Sequence, residues 1–290
     1  MDSADPFWGP PTSHANFCEA DYAVSRYIAE FINSLTNLIY VIYGIYGLHQ
    51  LRGKANKSKS GYSDYLRALP YWGLIAVGIC SFSFHLSLKY YTQMMDDLSM
   101  LFTTTPVLHR VLTANSTRRD STIIATVLSS LLLLLVTFHV MTDELVVHSV
   151  SFVGSVAIIG AQTVRLVKSR TIEGSDTRRQ IWGMVRFGAA IFILGFWVWL
   201  IDQWACGFLT AAREAIGLPW AFFLELHGWW HIFTGIGAYI FIAVVDLLVS
   251  DEDLKDLCAQ QTFAWPASWA STSIFAGEPH QTMDIGEKEE

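Results

Sequence analysis

The stretch ELHGWWHIFTGIGAY, residues 225–239, carries two histidines, His227 and His231, in surroundings that are otherwise apolar enough for a membrane-buried helix. On an α-helix, side chains four residues apart share one face, at a spacing that two ligands of one metal ion can use. Ionisable side chains inside a membrane are rare and usually belong to a functional site. The pair therefore indicates a metal site, and interhelical hydrogen bonding is the simpler alternative.

Depth in the membrane indicates a third ligand. His85 lies in another apolar stretch, one turn before its end at FSFHLSLKY. The expected topology places this end on the same side of the membrane as the beginning of the stretch that carries His227 and His231. Three neutral imidazoles without a thiolate favour zinc and leave a fourth coordination position for water. Zinc lowers the pKa of bound water to about 7, which favours a hydrolytic site over a purely structural one.

Two further residues could take part in hydrolysis. Ser81 lies one turn before the histidine of its stretch, and Asp96 follows the short turn KYYTQ. A carboxylate can accept a proton from activated water, and a hydroxyl can donate to a developing oxyanion; Asp96 is alternatively a helix-start carboxylate favoured by the macrodipole. His139 and His148 approach the same side, but they flank the short loop MTDELVV and so lie closer to water, and we expect them at the water interface.

The elements that must carry these residues follow from the composition. Hydrophobic residues make up 52% of the 290 residues and the mean hydropathy is +0.35, which is typical of a polytopic membrane protein. A spanning helix needs about 20 mostly apolar residues, and we expect an all-α bundle of seven transmembrane helices. The apolar stretches are 27–50, 68–88, 93–113, 121–142, 146–167, 182–204 and 219–249. The third is the weakest candidate, because SMLFTTTPVLHRVLTA holds three threonines, a proline and a histidine.

Basic residues are concentrated in the first, third and fifth loops between these stretches. The positive-inside rule therefore predicts that these loops are cytosolic. We expect a lumenal or extracellular N-terminal segment over 1–26, a membrane domain over 27–249 and a cytosolic, disordered C-terminal tail over 250–290. The net charge of −7 argues against nucleic acid as a partner.

Several motifs resemble those of the alkaline ceramidases: FWGPPTSHANFCEADYAVS, YIAEFINSLTN, SFSFHLSLKYYTQMMDDLSM, WLIDQWACG and LHGWWHIFTGIGAY. The resemblance covers roughly residues 7–245. It implies a seven-helix integral membrane enzyme of the endoplasmic reticulum or Golgi, which cleaves the N-acyl amide bond of ceramide, phytoceramide or dihydroceramide. The products would be a sphingoid base and a free fatty acid.

The resemblance also implies roles for individual residues. His85, His227 and His231 would bind a catalytic Zn²⁺, Asp96 would be the general base, and Ser81 would steady the tetrahedral intermediate. The N-terminal segment would bind a structural or regulatory Ca²⁺ through Asn16, the carbonyl of Phe17, Glu19, Asp21 and Glu30. The three carboxylates of this set could neutralise a hard divalent cation. Without the resemblance, the simpler interpretation of this acidic segment is a solvated lumenal cap.

Cysteines and one more acid complete the candidates. Cys18 and Cys206 both fall on the lumenal side of the expected topology, where a disulfide can persist, and the resemblance suggests that they pair. Asp202, one turn before Cys206, could accept a hydrogen bond from a zinc-binding histidine or, equally, form one at the membrane interface. Cys80 is expected to be a small core residue, and Cys258 a cytosolic free thiol.

Two other functions are compatible with these motifs. One is a seven-helix receptor or scaffold, similar to the adiponectin receptors, in which zinc is structural. The other is hydrolysis of a different lipid amide or ester. Release of sphingoid base from ceramide by the purified chain separates an enzyme from a scaffold, and a comparison of amide and ester lipids separates the two hydrolases.

Overall fold

The computed structural model describes residues 5–55, 61–250, 254 and 262–277. Its helices are α1 (Phe31–Thr36), α2 (Leu38–Ala55), α3 (Gly61–Ser87), α4 (Tyr90–Thr113), α5 (Arg118–Thr142), α6 (Leu145–Arg170), α7 (Asp176–Trp204), α8 (Cys206–Ile216), α9 (Leu226–Val249) and α10 (Ala267–Ala270). Two 3₁₀ helices cover Trp220–Leu224 and Ile274–Ala276. No β-strand forms within these described ranges, so the all-α prediction is confirmed.

Six helical segments of the described chain are long and apolar enough to cross a membrane. They are Phe31–Arg52, which contains α1 and most of α2, then Tyr65–Ser87, Arg118–Thr142, Leu145–Arg170, Asp176–Trp204 and Leu226–Val249. The seventh expected span corresponds to α4, which forms a 24-residue helix but is less apolar. Its threonine hydroxyls bond back to helix carbonyls, for example from Thr103 to Ser99 at 2.7 Å, because a buried hydroxyl needs a partner.

The last long helix, α9, is the centre of the bundle. It packs against α2, α3, α4, α6 and α7. Of its 18 most apolar consecutive residues, 72% are buried, whereas the corresponding share in α5 is 6%. Close approach to α1 depends on Gly228, since a Cβ there would lie 2.8 Å from the side chain of Ile32. The fold therefore places the two histidines of α9 in the bundle interior rather than on a lipid-facing surface.

Backbone contacts of the N-terminal segment fix the position of His85, the third histidine, near the end of α3. Only Leu88 and Lys89 separate α3 from α4, and the Leu88 carbonyl accepts the backbone N–H groups of Thr12 and Ser13 at 2.9 and 3.1 Å. The N–H of Glu30 donates to the His85 carbonyl at 2.9 Å. These backbone bonds fix the end of α3 against the start of α1.

Part of the C-terminal tail is packed against the bundle. The Tyr43 hydroxyl donates to the Trp265 carbonyl at 2.7 Å, and Ala267 and Ala270 are fully buried. Gly183 of α7 makes this possible, because a Cβ there would lie 2.4 Å from the Ala270 carbonyl oxygen. The prediction of a disordered tail is therefore wrong for residues 262–277, because their small and aromatic side chains pack against the helix bundle. Cys258 and residues 278–290 lie outside the described residues.

A buried ion network joins three helices at the end of α9 away from the histidines. Asp246 of α9 accepts two hydrogen bonds from Arg67 of α3, both at 2.9 Å. Arg110 of α4 donates a third, also at 2.9 Å. Since a carboxylate this deeply buried must be paired, the network ties α4 into the bundle despite its polar composition.

Candidate active site

Three buried imidazoles converge where α3 ends and α9 begins. His85, His227 and His231 are all at most 3% exposed, and their ligand nitrogens lie within 4.8 Å of one another. The ring centroids are separated by 4.6 to 5.0 Å. Within the described residues, this is the one group of three or more histidine, cysteine or acidic side chains whose ligand atoms all lie this close together.

Hydrogen bonds set the tautomers of two of these rings. The Nδ1 of His85 contacts the carboxylate of Glu30, and its Nε2 is buried without a hydrogen-bond partner. The Nδ1 of His231 lies 3.0 Å from Thr36 Oγ1, whose own hydrogen is directed to the Ile32 carbonyl at 2.8 Å. Both rings therefore carry their proton on Nδ1 and present an Nε2 lone pair.

This arrangement fits a transition-metal ion. Metal-binding histidines usually donate their second N–H to a carboxylate or another oxygen, which orients the ring. Nδ1 of His227 is also buried without a partner; leaving such atoms unpaired is costly unless a ligand binds them. Three imidazoles suit Zn²⁺ with one position left for water.

Ser81 and Asp96 are in direct contact. The Ser81 hydroxyl on α3 donates to Asp96 Oδ2 on α4 at 3.2 Å, and Ser81 is buried. Because Ser81 lies one turn before His85, the pair is close to the metal-binding group. The structure thus brings together the two residues that the sequence singled out for proton transfer and oxyanion stabilisation.

The five candidate calcium ligands lie near one another around the start of α1, but the carboxylates of Glu19, Asp21 and Glu30 are spread more widely than the three imidazoles. Phe17 N–H donates to Asn16 Oδ1 at 2.8 Å and to Glu30 Oε1 at 3.2 Å, and Asn16 Nδ2 donates to Asp21 at 3.4 Å. The carboxylate of Glu19 accepts the N–H groups of the first turn of α1, at 2.7 and 2.8 Å.

Charge in this acidic cluster is poorly compensated. Burial raises the pKa of Glu19 to about 7, and the negative charge of Glu30 acts in the same direction. Burial and Glu30 likewise raise the pKa of Asp21. A divalent cation would remove this repulsion, so the donor set of carboxylate and amide oxygens is suited to calcium.

A disulfide attaches the N-terminal segment to the rest of the site. Cys18 and Cys206 are bonded, with the sulfur atoms 2.13 Å apart. Next to it, Arg213 donates to the Cys18 carbonyl and to Glu225, both at 2.5 Å. The disulfide and the arginine together connect the N-terminal segment, α8 and the start of α9.

We expect Cys206→Ser to destabilise the protein. The bridge closes a loop of 188 residues, and loss of a native disulfide typically costs about 2–5 kcal/mol. The variant should migrate more slowly than wild type on a non-reducing gel and melt at a lower temperature. Cys80→Ser is the matched control, since Cys80 is a free thiol and its loss should leave the mobility unchanged. Identical gels and melting curves for Cys206→Ser and wild type would contradict the prediction.

Residues around the histidines differ in part from the sequence-based expectation. Asp202 accepts the backbone N–H groups of Cys18, at 3.1 Å, and of His227. The outer nitrogens of His85 and His231 contact Glu30 and Thr36 instead. Thr36 was not predicted, because nothing in the sequence links it to a histidine 195 positions away. Glu30 was assigned only to calcium, yet it also contacts His85.

His139 and His148 are not at the water interface. Both are buried, and both contact Asp97 of α4: His139 Nε2 lies 3.2 Å from Asp97 Oδ2, and His148 Nε2 lies 2.8 Å from the Asp97 carbonyl oxygen. The expectation of interfacial histidines is therefore wrong. It rested on their position beside the loop MTDELVV, and it missed the partner Asp97, which comes from another helix.

An apolar cavity of about 110 Å³ lies further along α9, one turn from the histidines. At its near end the hydroxyl of Tyr40 is hydrogen-bonded to Thr234 at 2.6 Å. Its other walls are mainly aliphatic and aromatic, and they include Leu74, Met100, Val107, Phe152, Phe192 and Phe241. A cavity of this lining is suited to hydrocarbon.

Comparison with known proteins identifies the family. The sequence model of the family described as Ceramidase matches residues 9–275. Alkaline ceramidase YPC1 of Saccharomyces cerevisiae is 29% identical over 254 residues, which cover 83% of this chain and 78% of the yeast protein. Alkaline ceramidase 3 of Mus musculus is 30% identical over 241 residues, which cover 81% of this chain and 84% of the mouse protein. The chain therefore belongs to the ceramidase family of hydrolases.

Proposed function

We propose that this chain hydrolyses the N-acyl amide bond of ceramide at a zinc ion bound by His85, His227 and His231. The observation that carries the proposal is the convergence of three buried imidazoles beside a hydrogen-bonded serine and aspartate. A scaffold with structural zinc would need no acid–base pair at the metal. The names of the yeast and mouse relatives support ceramide as the substrate.

The chemistry follows from the side chains. Zinc, when bound, supplies a Lewis acid for the amide carbonyl and lowers the pKa of water to about 7. Asp96 accepts the proton of the attacking water, whose oxygen forms a bond to the carbonyl carbon. Asp96 then delivers that proton to the amide nitrogen as the C–N bond breaks, which releases the sphingoid base and the fatty acid. Ser81 donates to Asp96 in this structure, and with substrate bound its hydroxyl would donate to the developing oxyanion instead.

The apolar cavity supports a lipid substrate. Ceramide has two long chains and a small polar head, so its amide must reach buried imidazoles while at least one chain remains in an apolar environment. The cavity walls next to Thr234 and Tyr40 meet this requirement. We propose that the substrate enters from the membrane and places one chain there.

The membrane arrangement completes the proposal. We propose that α4 is the seventh span, with the N-terminal segment lumenal and the C-terminal tail cytosolic, in the endoplasmic reticulum or Golgi. The buried contacts of α4 with Asp246 support its place in the bundle. The disulfide on the N-terminal segment supports an oxidising compartment on that side.

Purified protein tests the proposed reaction. In detergent, it should release sphingoid base from ceramide and leave glycerolipid esters of matched chain length intact. Dihydroceramide and phytoceramide in the same panel identify the preferred sphingoid base. Metal analysis on the same sample should find about one zinc per chain, in line with a single three-histidine site. Cleavage of the esters but not of ceramide would overturn the proposed substrate.

We also propose that the acidic cluster at the start of α1 binds Ca²⁺, and we expect calcium to raise the melting temperature. Without a cation, the folded state holds extra protons because the pKa of Glu19 is raised from 4.5 to about 7, so stability falls as the pH rises through this window. Calcium should offset that loss, with a rise of about 5 °C at saturating calcium. The rise should be larger at pH 8 than at pH 5.5.

Thermal melts in calcium and in chelator, at both pH values, measure this response. Glu19→Gln should reduce it, and Asp5→Asn should leave it intact, because Asp5 is an exposed acid of the same segment. Equal melting temperatures with calcium and with chelator at pH 8 would argue for a solvated acidic cap instead.

A further inference from the structure

His139 differs from the metal-binding histidines in what its two ring nitrogens face. Its Nδ1 lies 3.1 Å from the Glu144 carbonyl oxygen, and its Nε2 lies 3.2 Å from Asp97 Oδ2. A carbonyl oxygen can only accept, so Nδ1 carries a proton. An ionised carboxylate can also only accept, so Nε2 faces it favourably only if it is protonated as well.

The His139–Asp97 pair must therefore hold one proton more than a neutral imidazole beside a carboxylate. Because the ordinary pKa of histidine is well above that of aspartic acid, the proton belongs to the imidazole. His139 is fully buried and cannot exchange this partner for water. The pair is then an imidazolium–carboxylate pair with no net charge, buried between α4 and α5.

Neighbouring groups keep the pair in this form. The His148 Nε2–H donates to the Asp97 carbonyl at 2.8 Å, so His148 orients Asp97 while remaining neutral. The carboxylate of Glu144 adds a second negative charge near the His139 imidazolium. Asp143, in the same turn, has its own partner in His14 of the N-terminal segment.

The position of the pair matters because Asp97 follows Asp96 in the chain. The other groups near Asp96 are Ser81, which donates to it, the Cys80 thiol and the Tyr40 hydroxyl. None of these protein groups supplies a positive charge, and the zinc ion, when bound, would be the other cation near Asp96. Without a positive charge beside it, the carboxylate of Asp97 would repel the ionised form of Asp96 and favour its protonated form.

We propose that His139 is a positioning residue for hydrolysis: its imidazolium neutralises Asp97 and so keeps Asp96 available as an ionised base. The inference rests on the proposed function, because it assigns the base role to Asp96. It predicts that activity depends on the charge of His139, although this side chain contacts neither metal nor substrate.

The pH profile tests the charge. His139→Gln keeps a hydrogen-bond donor but loses the positive charge, so the acid limb of kcat/KM should move up by about one pH unit, which is roughly a tenfold loss below the limb. Above the limb the loss should be small.

The double variant His139→Gln/Asp97→Asn, which removes both charges, should return the limb to its wild-type position. His148→Ala is the control, since it removes a hydrogen bond to Asp97 without changing charge, and it should lower stability without moving the limb.

Several results would overturn the inference. One is an acid limb of His139→Gln at the wild-type pH, and another is a uniform loss of activity that the double variant does not restore. A direct measurement is independent of activity: ¹⁵N-histidine NMR of wild type should show an imidazole with both nitrogens protonated, and this signal should disappear in His139→Gln. A singly protonated ring would exclude the imidazolium whether or not ceramide is cleaved, whereas failure of the proposed function would appear as a wild-type protein without amidase activity.

Discussion

Asp96→Asn is expected to abolish release of sphingoid base while zinc stays bound. General acid–base catalysis contributes about 10²–10⁴-fold, and Asp96 would serve both as base toward water and as acid toward the leaving amine, so the loss should be at the upper end of that range. Asparagine has nearly the same shape and can still accept the hydrogen bond from Ser81 Oγ, which in this structure is 3.2 Å away. The three histidines proposed to bind zinc are on α3 and α9, so their geometry should not change.

The measurement combines turnover with elemental analysis on the same preparation. Asp120→Asn is a matched control, because Asp120 is an exposed aspartate at the start of α5. It should retain full activity. If Asp96→Asn kept more than about a tenth of wild-type turnover, the general-base role would have to pass to another group. If the variant lost its zinc, Asp96 would instead be part of the metal site.

His231→Ala should remove both zinc and activity. It eliminates one of three ligands and leaves the hydroxyl of Thr36 without its imidazole partner. Two remaining imidazoles bind zinc far more weakly than three protein ligands do. We expect zinc to fall from about one per chain to near zero, and turnover to fall to the background of the assay.

The comparison for this variant is His109→Ala. His109 lies on α4, where its Nε2 is 3.2 Å from the Ser121 carbonyl oxygen, away from the triad. This change should leave zinc content and turnover intact. A full complement of zinc in His231→Ala would show that the three histidines are not the ligands, and the hydrolytic mechanism would lose its metal.

Local spacing predicted which side chains meet at the centre of the candidate site. The interval between His227 and His231, the single turn between Ser81 and His85, and the short connection to Asp96 each place side chains on one face or one end of a helix. The similar expected depth of the histidines in the membrane then linked His85 to His227 and His231, which lie far apart in the sequence. These arguments use only helix geometry and the cost of burying polar groups.

Contacts that depend on helix packing could not be predicted in this way. Thr36 and Glu30 meet the histidines because α1 packs against the ends of α3 and α9, and no sequence interval encodes that arrangement. The same limit applies to Asp97, which lies on a different helix from His139. Hydropathy also made α4 the weakest of the expected helices, although it forms a 24-residue helix. Polar side chains that bond to their own helix or to buried partners are compatible with a helix inside a bundle.

The way in which residues 262–277 are attached has a consequence for sequence divergence. Much of the attachment uses main-chain oxygens: Tyr43 bonds to the carbonyl of Trp265 and Arg186 to that of Phe275. Main-chain acceptors are the same for every amino acid, so the exposed Trp265 can be replaced without loss of its bond to Tyr43. Ala270, fully buried with its carbonyl against Gly183, has no such freedom. Homologous chains should therefore vary at position 265 and retain a small residue at position 270.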